Sequence, residues 1–156
     1  MWKLKLPMKI KIFLWEVIHD RLPTREQILL RRGNTAGKCA TCGELESLEH
    51  LFFLCPIANF VWILVSEALD WPAVPRSLLK VLSLAKQDGG DRFEAVWFGT
   101  ACVLWSLWNI RNNLIFEGKI LKKTTDAFFV VCSYIQSWRP LWSERLQKVF
   151  EWAVRR

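Results

Sequence analysis

Residues 39–56 read CATCGELESLEHLFFLCP, and within them Cys39, Cys42, His50 and Cys55 form the pattern C-x2-C-x7-H-x4-C. Three thiols and one imidazole in so short a run are the soft and borderline donors that zinc gathers into a tetrahedron. Two residues between Cys39 and Cys42 let a tight turn present both sulfurs to one ion, and Gly43 permits the positive φ such a turn requires. His50 and Cys55 lie about 140° apart around a regular helix, so they converge only where the helix ends or bends near Cys55. Pro56 supplies that break. The plainer alternative is a set of buried free cysteines beside an incidental histidine, and a redox Cys-x-x-Cys is a third reading that no surrounding βαβ pattern supports. Four protein ligands leave no open position for a catalytic water, so the spacing predicts one structural zinc ion.

On either side of this loop, segments of helical period are separated by Pro, Gly and short polar punctuation, and strand-like alternation bounded by hairpin turns is absent. The expected fold is all-α, an irregular helical domain carrying a small Cys3His zinc-knuckle-like loop. A first helix should begin at Pro7, with Ile10, Phe13, Leu14, Val17 and Ile18 on one stripe, and stop at Pro23. Thr24 with Gln27 makes a capping box for a second helix that ends at Gly33. After the cysteine loop a helix from about Ser47 breaks at Pro56 and resumes to about Leu69. Residues 70–77, DWPAVPRS, read as a linker. Further helices are expected over about 77–87, 91–117, 126–138 with a cap at Thr124 or Thr125, and from Pro140 to near Val154. The expected organisation is a zinc-binding module over 1–70 and a helical region over 71–156 that packs on it, together one globular unit.

The chain has 156 residues, which allows one domain or one with a small attachment, and 52% apolar residues suffice for a real core. Its net charge of +7 is unevenly placed. Residues 1–38 hold nine bases against three acids, 39–118 five against nine, and 119–156 eight against three, so both ends are basic. Such a balance favours an anionic partner. Five cysteines and no secretory leader pattern point to an intracellular protein, nuclear or cytoplasmic, that is not secreted. The apolar run Ala95 to Ile110 falls short of the ~18 residues of a membrane span and contains Thr100, Ser106 and Asn109. It reads as a buried core helix, with no membrane partner.

The run Trp2 to Thr24 (WKLKLPMKIKIFLWEVIHDRLPT), then LLRRG, the C-x2-C-x7-H-x4-C set, EHLFFLC with Pro56, and Val61-Trp62 resemble the zinc-binding domain of reverse transcriptases from plant non-LTR retroelements. The string Trp105 to Phe116 (WSLWNIRNNLIF) resembles the segment that often follows it. In that family the domain lies downstream of the polymerase and commonly upstream of a ribonuclease H domain. The resemblance implies zinc at Cys39, Cys42, His50 and Cys55, and a stand-alone remnant or fragment of such an element. No Tyr-x-Asp-Asp and no adjacent aspartates occur, so the carboxylate cluster that polymerase chemistry requires is missing and no catalytic residue is expected.

The expected function is therefore non-catalytic nucleic-acid binding, to RNA or DNA with weak sequence preference. The candidate phosphate contacts are Lys9, Lys11, Arg25, Arg31, Arg32 and Lys38, weighed against an ordinary solvated face. The rival is a protein-docking or structural module that packs against polymerase or ribonuclease H domains. Trp105, Trp108, Asn112, Ile115 and Phe116 fit a core helix better than a stacking platform. Arg111 or Asn112 is expected to satisfy carbonyls at a neighbouring helix end, Cys102 and Cys132 to be small core side chains, and His19 to sit at a helix end. Apolar residues away from the loop can form a core without metal, so chelation is expected to unravel mainly residues 39–55.

Overall fold

The computed structural model describes residues 5–33, 36–87, 90–142, 144, 147 and 148, the side chains of 90 and 91 excepted. Within them six α-helices follow in order: α1 Met8–Ile18, α2 Arg25–Arg32, α3 Pro56–Ala68, α4 Leu78–Gln87, α5 Gly90–Glu117 and α6 Thr125–Ser137. A π-helical turn, His50–Leu54, precedes α3, and a 3-10 turn, Arg139–Leu141, follows α6 at Pro140. No β-strand occurs among the described residues beyond one isolated antiparallel bridge between Lys38 and Leu45. The all-α expectation holds. The expected helix reaching Val154 falls largely outside the described residues.

Helix α5 is the hub. Helices α1, α4 and α6 and the π-turn all pack on it. Its middle is buried nearly all round, with Ala95, Val96, Trp97, Phe98, Ala101, Cys102, Val103, Leu104 and Leu107 in the core. That is how a helix without a polar face behaves in water. The two hydroxyls of this stretch are satisfied internally, since Thr100 Oγ1 donates to the Val96 carbonyl and Ser106 Oγ to that of Cys102. Among the described residues no helix is long and apolar enough to cross a membrane.

Helix α1 begins next to Pro7, its N-cap, as expected, and buries Ile10, Phe13, Leu14 and Val17. Its end differs from the expectation in two ways. Ile18 is exposed, and the helix stops at that residue rather than at Pro23. Asp20 takes φ +50, so that its own N–H reaches the Val17 carbonyl and the Arg21 N–H the Glu16 carbonyl. This pair of bonds is a Schellman motif, which closes a helix without proline. Asp70, at φ +55, ends α3 in the same way through the Glu67 and Ser66 carbonyls.

The capping box of α2 is half formed. Thr24 Oγ1 accepts the Gln27 N–H, but the Gln27 side chain donates to Asp20 Oδ2 instead of returning to Thr24. Thr124 stands at the N-cap of α6 as expected, but its side chain makes no capping bond, and the Asp126 carboxylate accepts the Lys123 N–H. Cys102 is fully buried as expected, whereas Cys132 is only half-buried.

Candidate metal centre

The first two ligands sit on a short hairpin. The Lys38–Leu45 bridge closes it, Cys39 N–H donates to the Glu44 carbonyl at 2.6 Å, and Gly43 N–H donates to the Cys39 carbonyl at 3.0 Å. Gly43 has φ +82, the left-handed conformation that the turn after Cys42 demands. His50 and Cys55 come from the π-turn. There the Cys55 N–H reaches the His50 carbonyl at 2.7 Å, an i to i+5 bond that widens the turn by one residue. The helix ends there as expected: Cys55, at φ −57 and ψ 138, closes the π-turn and precedes α3, and this break together with the wider turn brings His50 and Cys55 to one place. Pro56 then opens α3 as its first residue.

The π-turn is held from several sides. Ser47 Oγ accepts the His50 N–H, Trp62 Nε1 donates to the Phe52 carbonyl at 2.7 Å, and the rings of Phe53 and Trp62 stack with centroids 5.4 Å apart. Trp62 is thus a support of the site, fully buried one layer behind it.

The result is convergence. One ligand atom from each of Cys39, Cys42, His50 and Cys55 lies within 4.8 Å of all the others, and Cys42 Sγ is 3.2 Å from His50 Nε2. Four donors bound at ~2.0–2.3 Å to one tetrahedral centre stand in such proximity. The set could hold a metal ion, and its chemistry is that of zinc. Cys55 donates its thiol proton to the Cys39 sulfur, which holds Cys39 down at about 3, and the same bond together with burial pushes Cys55 up. Burial also pushes Cys42 up. The cavity beside the sulfurs, bounded by Cys39, Cys55, Glu46 and Arg111, holds about 20 Å³. A small-molecule substrate needs roughly 300 Å³ or more.

Residues 1–62 match the family described as zinc-binding in reverse transcriptase. The matched segment takes in α1, α2, the hairpin, the π-turn and the first half of α3. The family is an accessory domain and not the catalytic one. A protein of Arabidopsis thaliana named as a candidate ribonuclease H protein is 32% identical over 119 residues, which are 74% of this chain and 19% of the relative. The chain therefore spans under a fifth of that relative's length. No solved structure matches it.

Behind the matched segment stands an ion pair that motif reading missed. Glu46, fully buried, receives Arg111 of α5: Nη2 at 2.7 Å and Nε at 3.2 Å both reach Glu46 Oε1. The same oxygen accepts the backbone N–H of Arg25 at 2.9 Å, while Glu46 Oε2 has no hydrogen-bond partner among the described residues. Arg111 also donates to the Pro23 carbonyl at 3.3 Å, in the connection between α1 and α2 and not at a helix C-terminus. Its pairing with Glu46 carried no local signal, because Glu44, Glu46 and Glu49 look alike in the acidic loop.

The basic residues are divided between two places. Arg25 Nη1 donates to the Lys38 carbonyl at 2.9 Å, so α2 lies along the hairpin, with Arg31 and Arg32 exposed in its last turn and Lys38 exposed next to Cys39. Lys9 and Lys11 are on α1, where Lys9 Nζ hangs 5.6 Å from the Trp105 ring centre. Trp105 and Trp108 pack on Phe13 at 5.1 and 6.3 Å and are core-flanking side chains. Phe116 departs from that pattern and is exposed. His19 closes α1, its Nδ1 2.8 Å from the Trp15 carbonyl.

Proposed function

We propose that this chain is a non-catalytic nucleic-acid-binding module stabilised by one structural zinc ion on Cys39, Cys42, His50 and Cys55. The observation that carries the reading is the apposition of α2 and the hairpin: Arg25 grips the carbonyl of Lys38, one residue before the first ligand. A cationic surface made of Arg31, Arg32 and Lys38 thereby adjoins the knuckle. Such a surface neutralises backbone phosphates without reading bases. Zinc would supply cross-linking of the hairpin to the π-turn, and all four of its positions are taken by protein, which favours a structural over a catalytic ion.

The test is a titration of the zinc-loaded chain with single-stranded RNA at several salt concentrations. Log affinity should fall linearly with log salt at a slope near −0.7 per phosphate neutralised, with little dependence on sequence. Absence of RNA or DNA binding at low salt, with one zinc per chain, would remove this reading. It would leave the docking alternative, which Met8 and Ile12 support as exposed apolar side chains one turn apart on α1.

A further inference from the structure

Helix α2 has too little of its own to stay folded. It spans eight residues, none of them buried, and among the described residues no other helix packs broadly on it. Isolated helices shorter than ~12–15 residues are marginal in water, so something outside α2 must hold it. Its anchors converge on the ligand-bearing hairpin. Glu46 accepts two backbone N–H groups of its first turn, that of Arg25 on Oε1 and that of Glu26, at 3.3 Å, on the main-chain carbonyl. Arg25 Nη1 holds the Lys38 carbonyl. Leu29 lies over Gly37, so closely that a Cβ there would come within 2.8 Å of Leu29 Cδ2.

The hairpin is equally thin. Between Gly37 and Glu46 its cross-links include the Glu46 N–H to Gly37 carbonyl bond, the Cys39 to Glu44 bond, the Gly43 to Cys39 bond and the Lys38–Leu45 bridge. Most of its side chains are exposed or half-buried, Cys39 and Glu46 being the buried ones. A metal ion tying Cys39 and Cys42 to His50 and Cys55 would fix this hairpin against the well-packed π-turn. Arg111 fixes its far end, because the guanidinium comes from the rigid middle of the fold and grips Glu46.

We infer that Glu46 makes the metal site and the basic helix α2 one cooperative unit, so that metal loading assembles the cationic surface. It is a positioning residue, touching neither the ion nor the nucleic acid. The metal's reach then extends beyond residues 39–55 to residues 25–32, while the α5 core stands apart. The inference rests on metal binding at the four ligands, and its consequence for nucleic acid rests on the function proposed above.

Amide hydrogen exchange on the full chain tests it, zinc-loaded against EDTA-stripped, with zinc content measured on the same samples. Stripping should speed exchange at least tenfold across 25–32 as well as 38–55, and leave 95–107 protected. Unchanged α2 protection on stripping would overturn the inference, as would failure of the chain to take up zinc. Glu46→Ala alone strands the Arg111 charge and could fail to fold, so the second arm is the double variant Glu46→Ala with Arg111→Met. Loaded with one zinc, it should show α2 exchanging at least tenfold faster than the loaded parent, and parental exchange rates there would overturn the inference. If α2 responds to zinc in the parent yet a single-stranded oligonucleotide does not bind at low salt, the coupling stands and the nucleic-acid function falls.

Discussion

Arg111 and Glu46 meet at 2.7 Å although 65 residues separate them, and both are buried. The guanidinium also lies over the Trp108 ring, 5.0 Å from its centre, and reaches the Pro23 carbonyl just before α2. One cation therefore joins the central helix, the metal hairpin and the entry to α2. Breaking a buried pair by removing one partner typically costs ~3–5 kcal/mol, because the other charge is stranded. Arg111→Met and Glu46→Gln should each lower unfolding free energy by roughly that range in urea titrations. The double variant should lose clearly less than the two single losses added together. Additive losses would show that the two side chains do not act as a pair.

Trp62→Phe keeps the apolar stack on Phe53 but takes the donor away from the Phe52 carbonyl, which lies in a fully buried part of the π-turn. An orphaned buried acceptor costs ~1–3 kcal/mol. The variant should be destabilised by about that much, and its zinc should exchange faster with a competing chelator, since the turn presents both His50 and Cys55. Parental zinc exchange would mean that the π geometry is held by the metal ligands alone.

Gly37→Ala probes the packing of the hairpin on α2. At φ +67 a Cβ costs ~1–2 kcal/mol, whereas Leu29 can swing its methyl aside at small expense. A loss of about 1–2 kcal/mol is expected, with zinc stoichiometry unchanged. A neutral result would argue that the hairpin relaxes freely at this position.

The ligand set was legible in the sequence because spacing and donor type are local properties, and so were the buried Ala95–Ile110 helix and the α2 caps at Thr24 and Gly33. Three features were not. The π-turn differs from an α-turn by one inserted residue and leaves no mark in an apolar run such as His50–Leu54. Asp20 ends α1 in a conformation usually left to glycine, so the expected stop was displaced to Pro23. The choice of Glu46 among three loop glutamates depends on where α5 passes, which only the packed structure decides.

Protons must leave when the metal binds. The Cys55 thiol that donates to the Cys39 sulfur holds Cys39 down, while the same bond and burial push Cys55 up and burial pushes Cys42 up, so that these two hold their protons more tightly than free thiols. Zinc takes thiolates, so loading should release protons and affinity should rise with pH through the range in which the raised thiols ionise. Calorimetric titrations in buffers of different ionisation enthalpy measure the number directly. Release of none would mean that Cys42 and Cys55 do not bind as thiolates.

The placement of the cations sharpens the salt dependence expected of nucleic-acid binding. Arg31 and Arg32 are exposed at the end of α2 beside the hairpin, whereas the Lys9 ammonium is drawn over the Trp105 ring and Arg25 is engaged with a carbonyl. Every phosphate that a substitution leaves without its cation should flatten the log–log salt slope by about 0.7 for single strands. Arg31→Ala with Arg32→Ala should therefore reduce the slope by about 1 to 2 and weaken binding to all sequences alike. Lys9→Ala should change it by less than half as much, and Arg25→Ala should act indirectly, loosening α2 along with binding. If Lys9→Ala flattened the slope as much as the arginine pair, the binding surface would lie across α1 and not along α2 and the metal hairpin.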